Sequence, residues 1–202
     1  MTAWIETHTG VAFPFEGWTF EDIRFADIAH SLSNICRYGG HCARFYSVAE
    51  HSIYVQQLLA ERGASLAVQM GGLLHDAGET YVTDVPTPLE DYAQGLKLLD
   101  RVLMRDIFEK YGGEDAPLIH ECDKIALASE ATALLRCVNG WLDRHPAPAA
   151  WLVENIRRTA PKPDEVRQRF ALAFGALRSA MNLPPLAEEY ASYAEHVAGA
   201  WG

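Results

Sequence analysis

Gly71-Gly72-Leu73-Leu74-His75-Asp76-Ala77-Gly78-Glu79 is an apolar, helix-like run that ends by delivering an imidazole and two carboxylates almost side by side. Neighbouring side chains on a straight helix point in different directions. His75 and Asp76 therefore reach one ion only where the helix ends or kinks, and Gly78 supplies a place for that. Taken alone, the dipeptide fits equally well a histidine satisfied in the core beside a solvated aspartate. Upstream, Ser65 can cap the helix, whose apolar face reads Leu66, Met70, Leu73, Leu74 and Ala77. The two consecutive glycines cost about 1 kcal/mol each against alanine, which close approach of a neighbouring helix would offset. Downstream, the prolines of Tyr81-Val82-Thr83-Asp84-Val85-Pro86-Thr87-Pro88 set a rigid, non-helical loop that holds Asp84 in place.

One segment earlier, Ser47-Val48-Ala49-Glu50 has the S-x-x-E spacing of a capping box, so a helix starts at Ser47. Stepping by three and four from Val48 gives His51, Val55, Leu58 and Leu59, which turns His51 inward and leaves Glu61 and Arg62 outside. A histidine on an apolar face is more often a satisfied core residue than a ligand, but here a second inward histidine follows one helix later. A further helix starts at Asp115 and Pro117, with Ile119, Asp123, Ala126 and Glu130 on one face. A carboxylate on such a face needs a partner, because burying it alone is costly. His51, His75, Asp76 and Asp123 together make a set of two imidazoles and two carboxylates. Mixed N/O ligands of this kind suit a borderline divalent ion, Zn, Mn, Co, Ni or Fe. Glu79 and Asp84, just beyond them, are placed to orient or deprotonate an attacking water. Arg37, Tyr38, His41 and Arg44 crowd one loop; they read either as ordinary polar loop residues or as a guanidinium and aromatic set suited to phosphate and base.

The remaining chain reads as scaffold. Trp4 to Phe20 mixes Gly, Pro, Thr and aromatics without a helical period, which predicts an extended arm or short hairpin packed on the body. From Asp22, the spacing of Ile28, Leu32, Ile35 and Cys36 predicts a first helix ending near Arg37-Tyr38-Gly39-Gly40. Leu99, Leu103 and Ile107 mark a helix that stops at Tyr111-Gly112-Gly113. Trp141 to Trp151 is a connection containing prolines. Val166, Phe170, Phe174, Leu177 and Met181 mark another helix, and after Pro184-Pro185 the positions Leu186, Tyr190, Tyr193 and Val197 mark a last one. Every long segment reads as helix, so the expected fold is all-α.

The 202 residues, 49% apolar and 22% charged, suit one globular domain. Its expected parts are an arm over 1–21, a metal-binding core over 22–135 and C-terminal helices over 136–202. A net charge of −10 argues against a nucleic-acid polymer as partner. The four cysteines have no C-x-x-C spacing, the start has no secretory pattern and no apolar run reaches membrane-span length, so a reduced, cytoplasmic protein is expected.

The order H, then HD, then D formed by His51, His75-Asp76 and Asp123 resembles the HD-domain metal-dependent phosphohydrolases. Ala49-Glu50-His51-Ser52, Leu74-His75-Asp76-Ala77-Gly78-Glu79 and Asp84-Val85-Pro86-Thr87-Pro88 are similar to the motifs of HD-type 5′-deoxynucleotidases and of phage and bacterial dATP triphosphohydrolases. Asp27-Ile28-Ala29-His30 through Arg37-Tyr38-Gly39-Gly40-His41 is more similar to the second group. The likeness runs from Asp22 to Glu130. It implies an HD-type helical bundle and ligation of one divalent ion by His51, His75, Asp76 and Asp123. It also implies Glu79 and Asp84 as catalytic carboxylates, phosphate held by Arg37, and Tyr38 and Arg44 against the substrate. Mg would accompany a triphosphate. Tyr38 stands where the deoxynucleotidases carry Trp, and Leu89-Glu90 follows the loop where they carry Lys.

The resemblance thus implies an enzyme that hydrolyses a phosphate ester or anhydride of a (deoxy)ribonucleotide, a small-molecule substrate, and leaves homo-oligomerisation open. Two other classes compete: a non-catalytic nucleotide-binding regulator, and a dinuclear-iron oxygenase. The first is disfavoured by the complete ligand set; the second needs two more ligands, for which His30, His41 and His120 are candidates.

Overall fold

The computed structural model describes residues 3–137, 140, 142–184 and 186. Strands β1 (Trp4–Glu6) and β2 (Ala12–Pro14) form an antiparallel hairpin with Ile5 opposite Phe13. Several contacts fasten the arm. Phe13 is fully buried and stacks on Tyr81 at 4.0 Å between ring centroids, while Thr9 donates from its backbone and its hydroxyl to the buried Asp27 carboxylate at 2.7 and 2.9 Å.

Asp27 lies on α1 (Phe25–Asn34), which buries Phe25, Ile28, Ala29 and Leu32. The helix ends sooner than the spacing of Ile35 and Cys36 implies. Ile35 is already extended, Cys36 bridges Ser47, and the Arg37 N–H donates to the Tyr46 carbonyl at 2.9 Å. A bridge between Cys36 and Ser47 thus wins over helical propagation, and the short 3-10 stretch Arg37–Gly40 follows it with the Tyr38 hydroxyl reaching Glu130.

Next come α2 (Val48–Glu61) and α3 (Leu66–Leu74), each with the expected serine cap: Ser47 Oγ accepts from the Glu50 N–H, and Ser65 Oγ from the Val68 N–H. The reciprocal half of the capping box is diverted, because the Glu50 carboxylate pairs with Arg44. Close approach accounts for both glycines of α3. A Cβ on Gly72 would stand 2.1 Å from Leu59 Cδ1 of α2, and one on Gly71 would stand 2.2 Å from the Glu114 carbonyl, a loop rather than a helix.

After α3 the chain turns through His75–Gly78 into α4 (Glu79–Val82). The kink needs no left-handed glycine, since Gly78 has φ −61°. Glycine is required there for space: a Cβ would lie 2.0 Å from Asp100 Oδ1. A 3-10 stretch, Thr87–Tyr92, leads to α5 (Gln94–Tyr111), which stops at left-handed Gly112 as the sequence predicts. Then follow α6 (Pro117–Leu134) with proline in its first turn, α7 (Ala150–Arg158), and α8 (Pro163–Ala180). The connection expected up to Trp151 is therefore shorter, α7 starting at Ala150. The last expected helix, around Tyr190, Tyr193 and Val197, lies outside the described residues.

The fold is all-α apart from the hairpin. Its hub is α2, which packs against α1, α3, α6 and α8 and is buried at every residue from Val48 to Val55. One side of α2, with Val48, Ala49 and Ile53, joins Phe25, Leu73, Phe170 and Phe174; the other, with Tyr54, Val55, Leu58 and Leu59, joins Ile119, Ala126, Leu152 and Ile156. Burying each such large side chain contributes about 1.5–3 kcal/mol. A polar residue in this helix is thereby fixed in the interior. Among the described residues no helix is long and apolar enough to cross a membrane.

Candidate metal centre

His51 is fully buried on α2, His75 caps the C-terminus of α3, Asp76 follows it into the turn, and Asp123 comes from α6. Three elements therefore deliver four side chains to one place. His51 Nε2 lies 3.2 Å from His75 Nε2, 3.1 Å from Asp123 Oδ1 and 3.7 Å from Asp76 Oδ2. His75 Nε2 lies 3.2 Å from Asp76 Oδ1 and 3.9 Å from Asp123 Oδ1. Ligand atoms held at about 2.1 Å from one ion stand about 3.0–3.4 Å apart, a range that the 3.2, 3.1 and 3.2 Å separations meet and the 3.7 and 3.9 Å ones exceed.

The tautomers point the same way. His75 Nδ1 is 2.9 Å from the Gly72 carbonyl, an acceptor, so it carries the proton and Nε2 presents a lone pair. His51 Nδ1 is 2.5 Å from Glu130 Oε1 and donates to that carboxylate for the same reason. The two Nε2 atoms and Asp76 therefore converge, with Asp123 beside His51, and each imidazole is backed by an acceptor on its far side as in metal-ligating histidines. His51, His75 and Asp76 form a group within 4.8 Å able to hold a divalent ion; Asp123 is not part of that group but lies 3.1 Å from His51 Nε2 and 3.9 Å from His75 Nε2.

Beside the ligands opens a cavity of about 480 Å³, lined by Arg37, Tyr38, Asp76, Glu79, Asp84, Asp123 and, on its apolar side, Pro86, Pro88, Leu127 and Leu135. That size is within the range of small-molecule sites, about 300–1,000 Å³. Arg37 Nη1 donates to Asp76 Oδ2 at 3.4 Å, and Arg37 Nε pairs with Glu130 Oε2 at 3.2 Å. Glu79 Oε2 is buried without a protein partner. Burial, with Asp76 and Asp84 nearby, pushes its carboxyl up to about 10. Burial also raises Asp84. Such crowding of carboxylates around a single arginine is what a divalent cation compensates.

Burial and Arg37 pull the metal-free His51 imidazole down, yet Glu130 and Asp123 outweigh them and hold it up at about 9, so a bound ion has to displace the Nε2 proton before that nitrogen can ligate. Glu130 moves oppositely: burial favours its neutral form, but His51 and Arg37 bring it down to about 2. Two non-glycine residues beside the site have left-handed backbones, Tyr38 (φ 59°) and Thr83 (φ 71°). For β-branched Thr83 this is a strained geometry of the kind that gathers at functional sites, and it directly precedes Asp84.

Arg44 stands apart from the residues lining this cavity. Its guanidinium grips Glu50 through both terminal nitrogens, at 2.8 and 3.1 Å, and reaches the carbonyls of Phe45 and Ile156, so it braces the start of α2 against α7. The candidates for a second ion are scattered: His30 stacks on His8 at 3.7 Å, while His41 and His120 are exposed. Glu130, placed by its spacing on the Asp123 face, has a larger part than the sequence revealed. It is fully buried and accepts from Tyr38 and Tyr46 as well as from His51.

A family model of the HD domain matches residues 48–158. Among curated proteins, YfdR of Escherichia coli, an uncharacterised protein, is 40% identical over 110 residues that cover 54% of this chain and 59% of that protein. An uncharacterised protein of Rhodobacter capsulatus is 30% identical over 161 residues, covering 74% of this chain and 82% of that protein. The chain thus spans somewhat less than two thirds of the Escherichia coli relative.

Proposed function

Because this chain belongs to the HD domain family, part of a superfamily of metal-dependent phosphohydrolases, we propose that it hydrolyses the phosphate monoester of a (deoxy)ribonucleotide. His51, His75, Asp76 and Asp123 would hold one divalent ion, drawn from Zn, Mn, Co, Ni or Fe. Bound there, such an ion acts as a Lewis acid towards a phosphoryl oxygen and makes a water more acidic.

The other groups belong to the chain. Arg37 Nη1 donates to Asp76 and the guanidinium pairs with Glu130 through its Nε edge, which leaves Nη2 to meet a phosphate oxygen. Tyr38 and the apolar wall from Pro86 to Leu135 confine the nucleoside. Hydrolysis takes a proton from the attacking water and returns one to the leaving oxygen. Glu79 and Asp84, both facing the cavity, are the groups that hold and move it.

Charge supports a monophosphate over a triphosphate. Among the described lining residues Arg37 is the single cation, set against Asp76, Glu79, Asp84 and Asp123, and one ion with one guanidinium matches a dianion better than a tetra-anion. The gathering of the His51 and His75 Nε2 atoms with Asp76 and Asp123 beside this cavity is the observation that carries the reading. A release assay over nucleoside mono-, di- and triphosphates with several divalent metals tests it. The expected product is inorganic phosphate from the monophosphate; triphosphate released from a nucleoside triphosphate, with the monophosphate left intact, would reverse the assignment.

A further inference from the structure

We propose that Glu130 is a positioning residue that sets the metal-ligating imidazole and the phosphate-directed guanidinium in one register, with one carboxylate oxygen assigned to each. Oε1 takes His51 Nδ1 at 2.5 Å and the Tyr46 hydroxyl at 3.0 Å. Oε2 takes the Tyr38 hydroxyl at 2.9 Å and pairs with Arg37 Nε at 3.2 Å. A carboxylate offers about four lone-pair sites; three take hydrogen bonds here, and the Arg37 guanidinium faces Oε2 as an ion pair.

The partners come from separate pieces of chain. His51 belongs to α2, Tyr46 immediately precedes it, and Arg37 and Tyr38 open the 3-10 stretch that borders the cavity. Glu130 projects from α6, the helix that also supplies Asp123 two turns earlier. One buried side chain therefore joins the ion's ligands to the turn that faces the substrate. It fixes which His51 nitrogen carries the proton, and it helps hold Tyr38 in a left-handed backbone that a tyrosine would otherwise avoid.

A buried carboxylate beside an arginine is often only a structural ion pair. Three hydrogen bonds and an ion pair on one buried carboxylate make a narrower demand. Glutamine has almost the same shape, but it presents an amide NH₂ in place of one oxygen, so either the His51 and Tyr46 pair or the Arg37 and Tyr38 pair would meet a donor instead of an acceptor. With the two sides mechanically joined, a fault on one is transmitted to the other.

The phosphate side of this inference rests on the proposed function, and the metal side does not. The test uses the full chain stripped of metal by chelation, with cobalt(II) as the first probe and inorganic phosphate, added to cobalt-loaded protein, as the second. For Glu130→Gln, calorimetry should show cobalt(II) affinity about 10–100-fold weaker and phosphate affinity weaker by about tenfold, with the urea midpoint recorded alongside. A variant whose midpoint falls while both affinities stay within threefold of wild type makes Glu130 merely structural and overturns the inference. So does a loss confined to one probe.

If Glu130→Gln does not fold, Tyr46→Phe and Tyr38→Phe decide. Tyr46→Phe should weaken cobalt(II) several-fold and Tyr38→Phe should weaken phosphate several-fold. Unchanged affinities in both overturn the inference. A wild-type protein that binds cobalt(II) but no phosphate instead counts against the proposed function, and the cobalt(II) result still decides the role of Glu130 towards His51.

Discussion

Glu79 lies three residues beyond Asp76 and faces the same cavity, with Oε2 buried and unpartnered. The four proposed ligands do not include it, so catalysis and metal holding are expected to separate at this residue. Glu79→Gln should keep its metal content and nucleotide binding while kcat falls by about 10²–10⁴, the usual cost of removing a general acid or base. A kcat within a few-fold of wild type would reject the role, and loss of the ion would move Glu79 into the ligand set. Arg37 shows how setting changes an expectation. As a loop residue it promises a simple rise in KM on truncation, yet its side chain is only 11% exposed and pairs with a Glu130 side chain that is 0% exposed. Arg37→Ala should therefore raise KM about tenfold or more and also lower the urea midpoint, because it strips a partner from a buried carboxylate. A raised KM with an unmoved midpoint would show that Glu130 needs no such partner. The residues that carry the H, HD and D order were legible because their spacing is local. Glu130 was not: its spacing puts it on the Asp123 face, but only the fold brings Tyr38, Tyr46 and His51 to it.

At the scale of elements, helical periods and caps were readable wherever both ends of the interaction lie within one segment. Ser47 and Ser65 cap as their sequences imply, and Gly112 ends α5 in the left-handed conformation. The misreadings occur where a distant partner intervenes. Cys36 leaves the helical period because Ser47 pairs with it, and Glu50 leaves the capping box because Arg44 claims its carboxylate. Gly78 illustrates a right residue with a different reason, since it makes room for Asp100 rather than permitting a left-handed turn. The glycine pair of α3 gives the element-scale prediction. Alanine at Gly71 gains about 1 kcal/mol of helix propensity, but its Cβ meets the Glu114 carbonyl, which belongs to backbone and yields poorly. Overpacking costs about 1–3 kcal/mol, so Gly71→Ala should be net destabilising in urea unfolding. Gly72→Ala, which meets the end of the Leu59 side chain, should lose less. A Gly71→Ala protein more stable than wild type would mean that the α3 to Glu114 contact gives way freely.

At the scale of the whole molecule, the all-α architecture follows from one fact of composition and one of placement: nearly every long segment has an apolar helical face, and α2 is buried along most of its length. That burial fixes His51 in the interior. The ends of α3 and the middle of α6 then bring His75, Asp76 and Asp123 to it, and Arg37–Gly40 and the loop from Asp84 to Pro88 close the cavity beside them. The central claim is that these four side chains hold one divalent ion on which phosphate release depends. The direct measurement is to strip the protein with a chelator, titrate back a single divalent metal, and follow bound metal and phosphate released from a nucleoside 5′-monophosphate in the same samples, for wild type and Asp76→Ala. Wild type should bind one ion per chain and regain release in proportion to occupancy, while Asp76→Ala does neither. Phosphate release by metal-free wild type, or wild-type metal affinity in Asp76→Ala, would contradict the account.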